Sequence, residues 1–186
     1  RNTDVNYFHP KGSQWHPLNF IAPLPDKIPN LKETLYVDYS DYLQKSVDLA
    51  RSIKPNIIIS AAAVSDYIVA KAEGKLSSDE DEMIIRLTKA KKVLPLLKQA
   101  SPQSMVVGFK LLVSPAYDQV QKAVQKALDS GADYCVYNDL TEIRKGEMAR
   151  LVFRKNMTHV KVYDAKELTD FITNEYLAWS NGQCGY

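Results

Sequence analysis

Ile57-Ile58-Ile59-Ser60-Ala61-Ala62-Ala63-Val64-Ser65-Asp66-Tyr67 decides how the rest of the chain is read. A continuous β-branched run is the pattern of a parallel strand buried on both faces. This one passes straight into small residues and stops at an aspartate. In open α/β sheets, ligands bind beyond the carboxyl ends of the strands. Small residues at such an end let a ligand approach the backbone. Ser60, Ala61, Ala62 and Asp66 are therefore candidate binding residues.

Outward from this stretch, strand and helix patterns alternate. Upstream, Asp4–Phe8 and Thr34–Val37 read as strands on either side of a proline-rich loop over 9–30. Ser40 is expected to cap a helix that carries Leu43, Val47, Ala50 and Ile53 on one face. The strand Ile57–Ala62 is expected to be the most buried. Downstream, Lys71–Glu82 is polar, Met83–Leu87 reads as a strand and Lys92–Gln99 as a short helix. Met105–Leu111 is a strand containing Gly108, and a glycine there marks close backbone approach. Ser114-Pro115 is expected to open a helix whose inward stripe is Val120, Ala123, Val124 and Ala127, with Gly131 ending it. Tyr134–Tyr137 is another strand. Asn138 and Asp139 follow as turn residues, expected at the same sheet edge as Asp66. Ala149–Lys155 and His159–Tyr163 form an antiparallel pair. Asp164 and Glu167 make a capping box for a last helix with Leu168, Phe171, Ile172 and Tyr176 inward.

Strands alternating with helices predict a parallel sheet with right-handed crossovers. The fold class is α/β: a Rossmann-like three-layer sandwich, mostly parallel, closed by a C-terminal antiparallel hairpin. Length argues for a single domain over 1–186, with 71–87 as a flap or arm and 180–186 as a tail.

The net charge of +2, from 24 basic and 22 acidic residues, gives no bulk pull toward nucleic acid or an anionic membrane. No apolar run approaches the roughly 20 residues that cross a bilayer. Cys135 lies in an apolar strand, where a buried reduced thiol is expected, and the chain reads as cytoplasmic. His9, His16 and His159 are too scattered for a metal set. The seven glycines form neither G-x-G-x-x-G nor a P-loop.

Several runs, in order, carry a family likeness: AAAVSDY (Ala61–Tyr67), KLSS (Lys75–Ser78), LTKAKKVLPLL (Leu87–Leu97), VVGFKLLV (Val106–Val113), a lysine-bearing helix around Lys126, and YNDL (Tyr137–Leu140). From about Ile57 onward the chain resembles phosphopantothenate–cysteine ligase. The resemblance implies a two-step ligation in coenzyme A biosynthesis. The carboxylate of 4'-phosphopantothenate attacks the α-phosphate of CTP or ATP, and pyrophosphate leaves. The amine of cysteine then displaces the nucleoside monophosphate from the acyl-nucleotide. Mg²⁺, held largely by substrate and water, would offset the phosphate charge.

The resemblance also implies roles for single residues. Lys75, by itself a solvated surface lysine, becomes the catalytic residue on a mobile flap. Ser60, Ala61, Ala62 and Asp66 hold the nucleotide, with Asp66 at its base and ribose end. Lys91, Lys92, Val93 and Leu94 open a helix that contacts the nucleotide, although Lys91 stands where many members have proline. Phe109, by itself an ordinary core aromatic, packs on the base with Gly108 leaving room. Lys126 contacts the triphosphate, with Lys122 a weaker candidate. Asn138 and Asp139 are a possible site edge. A homodimer is implied as well, with 71–87 as the exchange arm.

The family's amino-terminal glycine-rich turn and S-S-G stretch have no match in Arg1–Asn30. The expectation is of a partial ligase domain that does not ligate by itself. The competing reading is a non-catalytic nucleotide-binding module on the same fold, which would bind nucleotide without releasing pyrophosphate. A flavin-dependent decarboxylase would need a histidine motif that is absent. A dehydrogenase would need the missing dinucleotide fingerprint.

Overall fold

Strand and helix alternate along the chain in the computed structural model, which describes residues 5–10 by their backbone course and 31–69, 84–147 and 149–182. In order, these give β1 (Val5–Pro10), β2 (Leu31–Tyr36), α1 (Tyr39–Ile53), β3 (Ile57–Ser60), β4 (Tyr67–Val69) and β5 (Leu87–Lys89). Then follow α2 (Val93–Ala100), β6 (Met105–Leu112), α3 (Tyr117–Asp129), β7 (Tyr134–Asp139), α4 (Leu140–Arg144), β8 (Arg150–Arg154), β9 (His159–Val162) and α5 (Ala165–Ser180). They fall into two compact units, one comprising 1–48 and 64–90 and the other 49–63 and 91–186.

In the first unit, β1 pairs in parallel with β2, from Val5 opposite Leu31 to Pro10 opposite Tyr36. The start of α1 is fixed by two aspartates acting reciprocally. Asp38 accepts from the Asp41 N–H at 2.9 Å, and Asp41 accepts from the Val37 N–H at 3.0 Å. The cap is thus Asp38 and not the expected Ser40, because an aspartate two residues earlier reaches the orphan amide. Lys45 donates to Asp41 at 2.8 Å, and chiefly through that bond the Asp41 carboxyl is held below its ordinary pKa. A short antiparallel ribbon joins β4 to β5, with Tyr67 opposite Lys89. The Ala90 N–H closes its base on the Asp66 carbonyl at 2.9 Å. β5 begins where the expected Met83–Leu87 strand ends.

The second unit holds the main sheet, in the order β3-β6-β7-β8-β9. β3, β6 and β7 are parallel, while β7, β8 and β9 are successively antiparallel. This is the expected parallel sheet with a closing hairpin. Both faces are covered. On one, Val120, Val124, Ala127 and Leu128 of α3 pack on Cys135 and Phe153. On the other, Ile172 of α5 packs among Met105, Val107, Val136 and Val152, joined by Leu168, Phe171 and Tyr176. The helical stripes read from the sequence are these faces. Burial pushes the Cys135 thiol up to about 12, so it is an inert core group.

The burial order differs from expectation. β6 and β7 are the most buried strands, whereas Ile59 of β3 is 59% exposed. Among the described residues β3 lies at the edge of its sheet, and a β-branched run states hydrophobicity, not neighbour count. The hairpin between the paired strands turns at Asn156-Met157. Met157 takes φ +65°, and Asn156 accepts from the Thr158 N–H at 3.1 Å. The last helix is opened by Asp164, which accepts from the Glu167 N–H at 2.7 Å. Glu167 reaches back to the Tyr163 N–H at 2.8 Å, one residue earlier than a strict capping box.

Glu175 of α5 ties that helix to the sheet. It accepts from Tyr134 Oη at 2.7 Å and from Arg154 Nε at 3.2 Å, and Arg154 lies over the Phe171 ring at 5.0 Å. The Arg154 bonds outweigh the cost of burial, and Tyr134 adds to them, so the carboxyl sits below its ordinary 4.5. A depressed folded pKa contributes stability above the unfolded pKa and loses it as pH falls through the folded one. Wild-type protein should therefore melt above Glu175→Gln at neutral pH, and the gap should close in acid. A gap that is constant from pH 7 to 3 would contradict this.

Candidate functional site

The parallel strands β3, β6 and β7 share one carboxyl rim. Ser60 is opposite Gly108, so β6 runs four residues past the end of β3, from Phe109 to Leu112. Those residues keep β7 as partner, with Phe109 opposite Val136 and Leu112 opposite Asp139. A step is left beside Phe109, and the exposed Ala61 and Ala62 lie just past Ser60. This is the close-approach geometry that small residues allow.

The first turn of α2 completes the step. Lys92 is its N-cap, with φ −73° and ψ 131° and no side-chain cap bond. Val93 is buried, and Lys91 and Lys92 are exposed. Leu94 lies over Gly108. A Cβ built on Gly108 would meet Leu94 Cδ1 at 3.3 Å and Ala132 Cβ at 3.4 Å. The room left by Gly108 is thus filled by α2 and is not open to a base, which corrects one expectation. Its effect is to seat the first turn of α2 beside Ser60 and Phe109. Phe109 points to the opposite face, half-buried against the cluster under α5. Packing alone accounts for its inner side.

Of the residues named from the sequence, the second unit carries Ser60, Ala61, Ala62, Lys91, Lys92, Val93, Leu94 and Phe109, with Leu94 and Phe109 on opposite faces of the sheet. Asn138 and Asp139 lie on the same rim at the end of β7. Asp139 is the N-cap of α4, a helix the sequence reading missed, and Asp139-Leu140-Thr141-Glu142 carries its D-x-x-E signal. Burial works against the Asp139 charge. The N–H groups of Thr141 and Ser114 outweigh it and hold the carboxyl below its ordinary range. Burial first, and the Asp139 charge second, raise the pKa of Tyr137.

Lys126 is elsewhere. α3 starts just after the rim and runs to the start of β7, and Lys126 is in its last turn. At the helical rise it is about 13 Å along the axis from the first residue of α3. It lines a cleft of about 620 Å³ with Gln121, Lys122, Gln125, Ser130 and Met157, at the hairpin end of the sheet. Lys126 and Lys122 thus line this cleft along α3. The direction of the helix, not its composition, decides this.

Asp66 is exposed at the base of the β4–β5 ribbon in the first unit. Lys75, most of the 71–87 arm and residues 183–186 of the expected tail lie outside the described residues. Among the described residues, no group of three or more His, Cys, Asp and Glu side chains is disposed to hold a metal. No described helix is long and apolar enough to cross a membrane.

The profile of the DNA/pantothenate metabolism flavoprotein C-terminal domain matches residues 23–177. The chain belongs to that family. The match starts well before Ile57, so it takes in β2 and α1. Over 103 residues the chain is 33% identical to the coenzyme A biosynthesis bifunctional protein CoaBC of Methanocaldococcus jannaschii. Those residues are 55% of this chain, and it spans 25% of that relative's length. The DNA/pantothenate metabolism flavoprotein of Streptococcus pneumoniae shares the fold, with a TM-score of 0.75 at 23% identity over 95% of this chain and 81% of that one. A Cab2 H337A mutant in complex with phosphopantothenate-cysteine gives a TM-score of 0.59 at 21% identity, over 83% of this chain and 54% of that one. These likenesses bear out the Rossmann-like sandwich as the family's fold.

Proposed function

We propose that this chain forms part of the ligase site of its family, at which cysteine is joined to 4'-phosphopantothenate through an acyl-nucleotide at the carboxyl rim. Family membership carries the reading. The small-residue step beside Phe109 and the uncapped first turn of α2 support it. Mg²⁺ arriving on the phosphates of CTP or ATP would supply charge neutralisation there.

In this reading the backbone at Ser60, Ala61 and Ala62 lies along the nucleotide. The amides opening α2 favour its negative charge, with Lys91 and Lys92 beside them. The outer side of Phe109 takes the base. The phosphopantothenate carboxylate oxygen bonds to the α-phosphorus as the bond to pyrophosphate breaks. The cysteine nitrogen then bonds to the acyl carbon, the nucleoside monophosphate leaves with its oxygen, and the amine loses a proton. Lys75 closes over the phosphates as a point charge. Such a metabolic role suits the cytoplasm.

A homodimer is part of the proposal. The apolar strip around the ribbon, with Tyr67, Val69, Ile85 and Leu87 exposed and Ile84 88% exposed, suits a second copy of the chain. Light scattering tests that state. The reaction is tested in the native protein by product analysis with phosphopantothenate, cysteine, Mg²⁺ and either CTP or ATP. Pyrophosphate and nucleoside monophosphate are expected. Nucleoside diphosphate with orthophosphate would contradict the acyl-nucleotide route, and binding without turnover would favour a regulatory module.

A further inference from the structure

Among the described residues, three non-glycine residues have positive φ: Lys54, Ser114 and Met157. Two have local causes. Lys54 follows the last turn of α1, where its N–H bonds the Ala50 carbonyl, and Met157 closes the hairpin. Ser114, at φ +43°, ends no helix and closes no hairpin. It also precedes Pro115, which restricts its backbone further. What holds it comes from 25 residues away. The Ser114 N–H donates to Asp139 Oδ1 at 3.2 Å, and the Ser114 and Thr141 hydroxyls meet at 2.7 Å. The same Asp139 oxygen accepts from the Thr141 N–H at 2.8 Å. One carboxylate therefore joins the end of β7, the start of α4 and the loop after β6.

That loop matters because β6 outruns β3. From Phe109 to Leu112, its pairing among the described residues is with β7 alone. The segment carrying Phe109 is thus fixed by one ladder and by whatever fastens its far end. We propose that Asp139 is a positioning residue that locks the loop after β6 at Ser114 and so holds Phe109 and the rim in place for a nucleotide. The proposal rests on the nucleotide reading of the rim.

The test compares wild type, Asp139→Asn, Asp139→Ser and Asp139→Ala in the native protein. Asparagine keeps an oxygen that reaches both N–H groups. Serine still caps Thr141 but falls short of Ser114, so it separates the cap from the lock and covers any failure of the alanine variant to fold. Hydrogen exchange at the Ser114 amide reads the lock, and calorimetry with magnesium–CTP and magnesium–ATP reads the site. The serine and alanine variants should exchange at Ser114 and lose nucleotide affinity by about tenfold or more, while asparagine stays within about threefold of wild type on both readouts. Unchanged affinity in the serine variant would overturn the proposal, as would unchanged exchange at Ser114 or an asparagine variant as defective as alanine. If wild type binds neither nucleotide, the reading of the rim fails and the positioning role with it. Ser114 exchange then still reports whether the lock exists.

Discussion

Lys75→Gln should lower turnover in the native protein by about a hundredfold or more, with kcat and kcat/KM falling together. A charge placed where phosphate negative charge develops is worth this much, and glutamine removes it while keeping a polar, slightly shorter side chain. Lys75 belongs to the connection between the two strands of the ribbon, whose base is the Asp66–Ala90 bond. A rise in KM with kcat unchanged would restrict Lys75 to ground-state binding, and an unaltered rate would remove its role.

Asp133→Ala should cost about 2–3 kcal/mol of stability, since it strips a buried acceptor from a backbone amide and the counter-charge from two partly exposed lysines. Asp133 is 7% exposed, just before β7, and it serves three donors. Lys98 of α2 lies at 2.7 Å, Lys155 after β8 at 3.1 Å, and the Val106 N–H of β6 at 2.8 Å. Truncation leaves a buried amide without its acceptor and two ammonium groups without their counter-charge. The buried pair itself is weak evidence of net stabilisation, but breaking it on one side is expensive. Asp133→Asn retains an acceptor for Val106 and should lose less. Denaturant midpoints at constant slope measure both. A loss under about 1 kcal/mol for the alanine variant would show that water or a neighbour replaces the carboxylate.

The sheet was legible because its elements are periodic. Val120, Val124 and Ala127 of α3, and Leu168, Phe171 and Ile172 of α5, repeat at helical spacing and turn inward. Neighbour order is not periodic. The run that announced the rim, Ile57–Ser60, therefore looked central and lies at an edge. Three-residue strands such as Tyr67–Val69 carry no period at all, and the ribbon went unseen. Ser60 and Asp139 were legible as strand ends, which is where the structure puts them, whereas Phe109 is named only through the family resemblance. Lys126 is named through the family resemblance, and its place along α3, which no sequence pattern fixes, puts it in the last turn of that helix. Ser114 was read as a helix start, and nothing local reveals that an aspartate 25 residues away sets its backbone.

The most direct test of the rim is a titration of the isotope-labelled protein with magnesium–CTP and magnesium–ATP, followed by amide resonances. The account predicts that Ser60, Ala61, Ala62, Lys92, Val93, Leu94 and Phe109 shift together and saturate at one ligand per chain. Shifts confined to Gln121–Ser130 and Met157, in the cleft at the far end of α3, would contradict it.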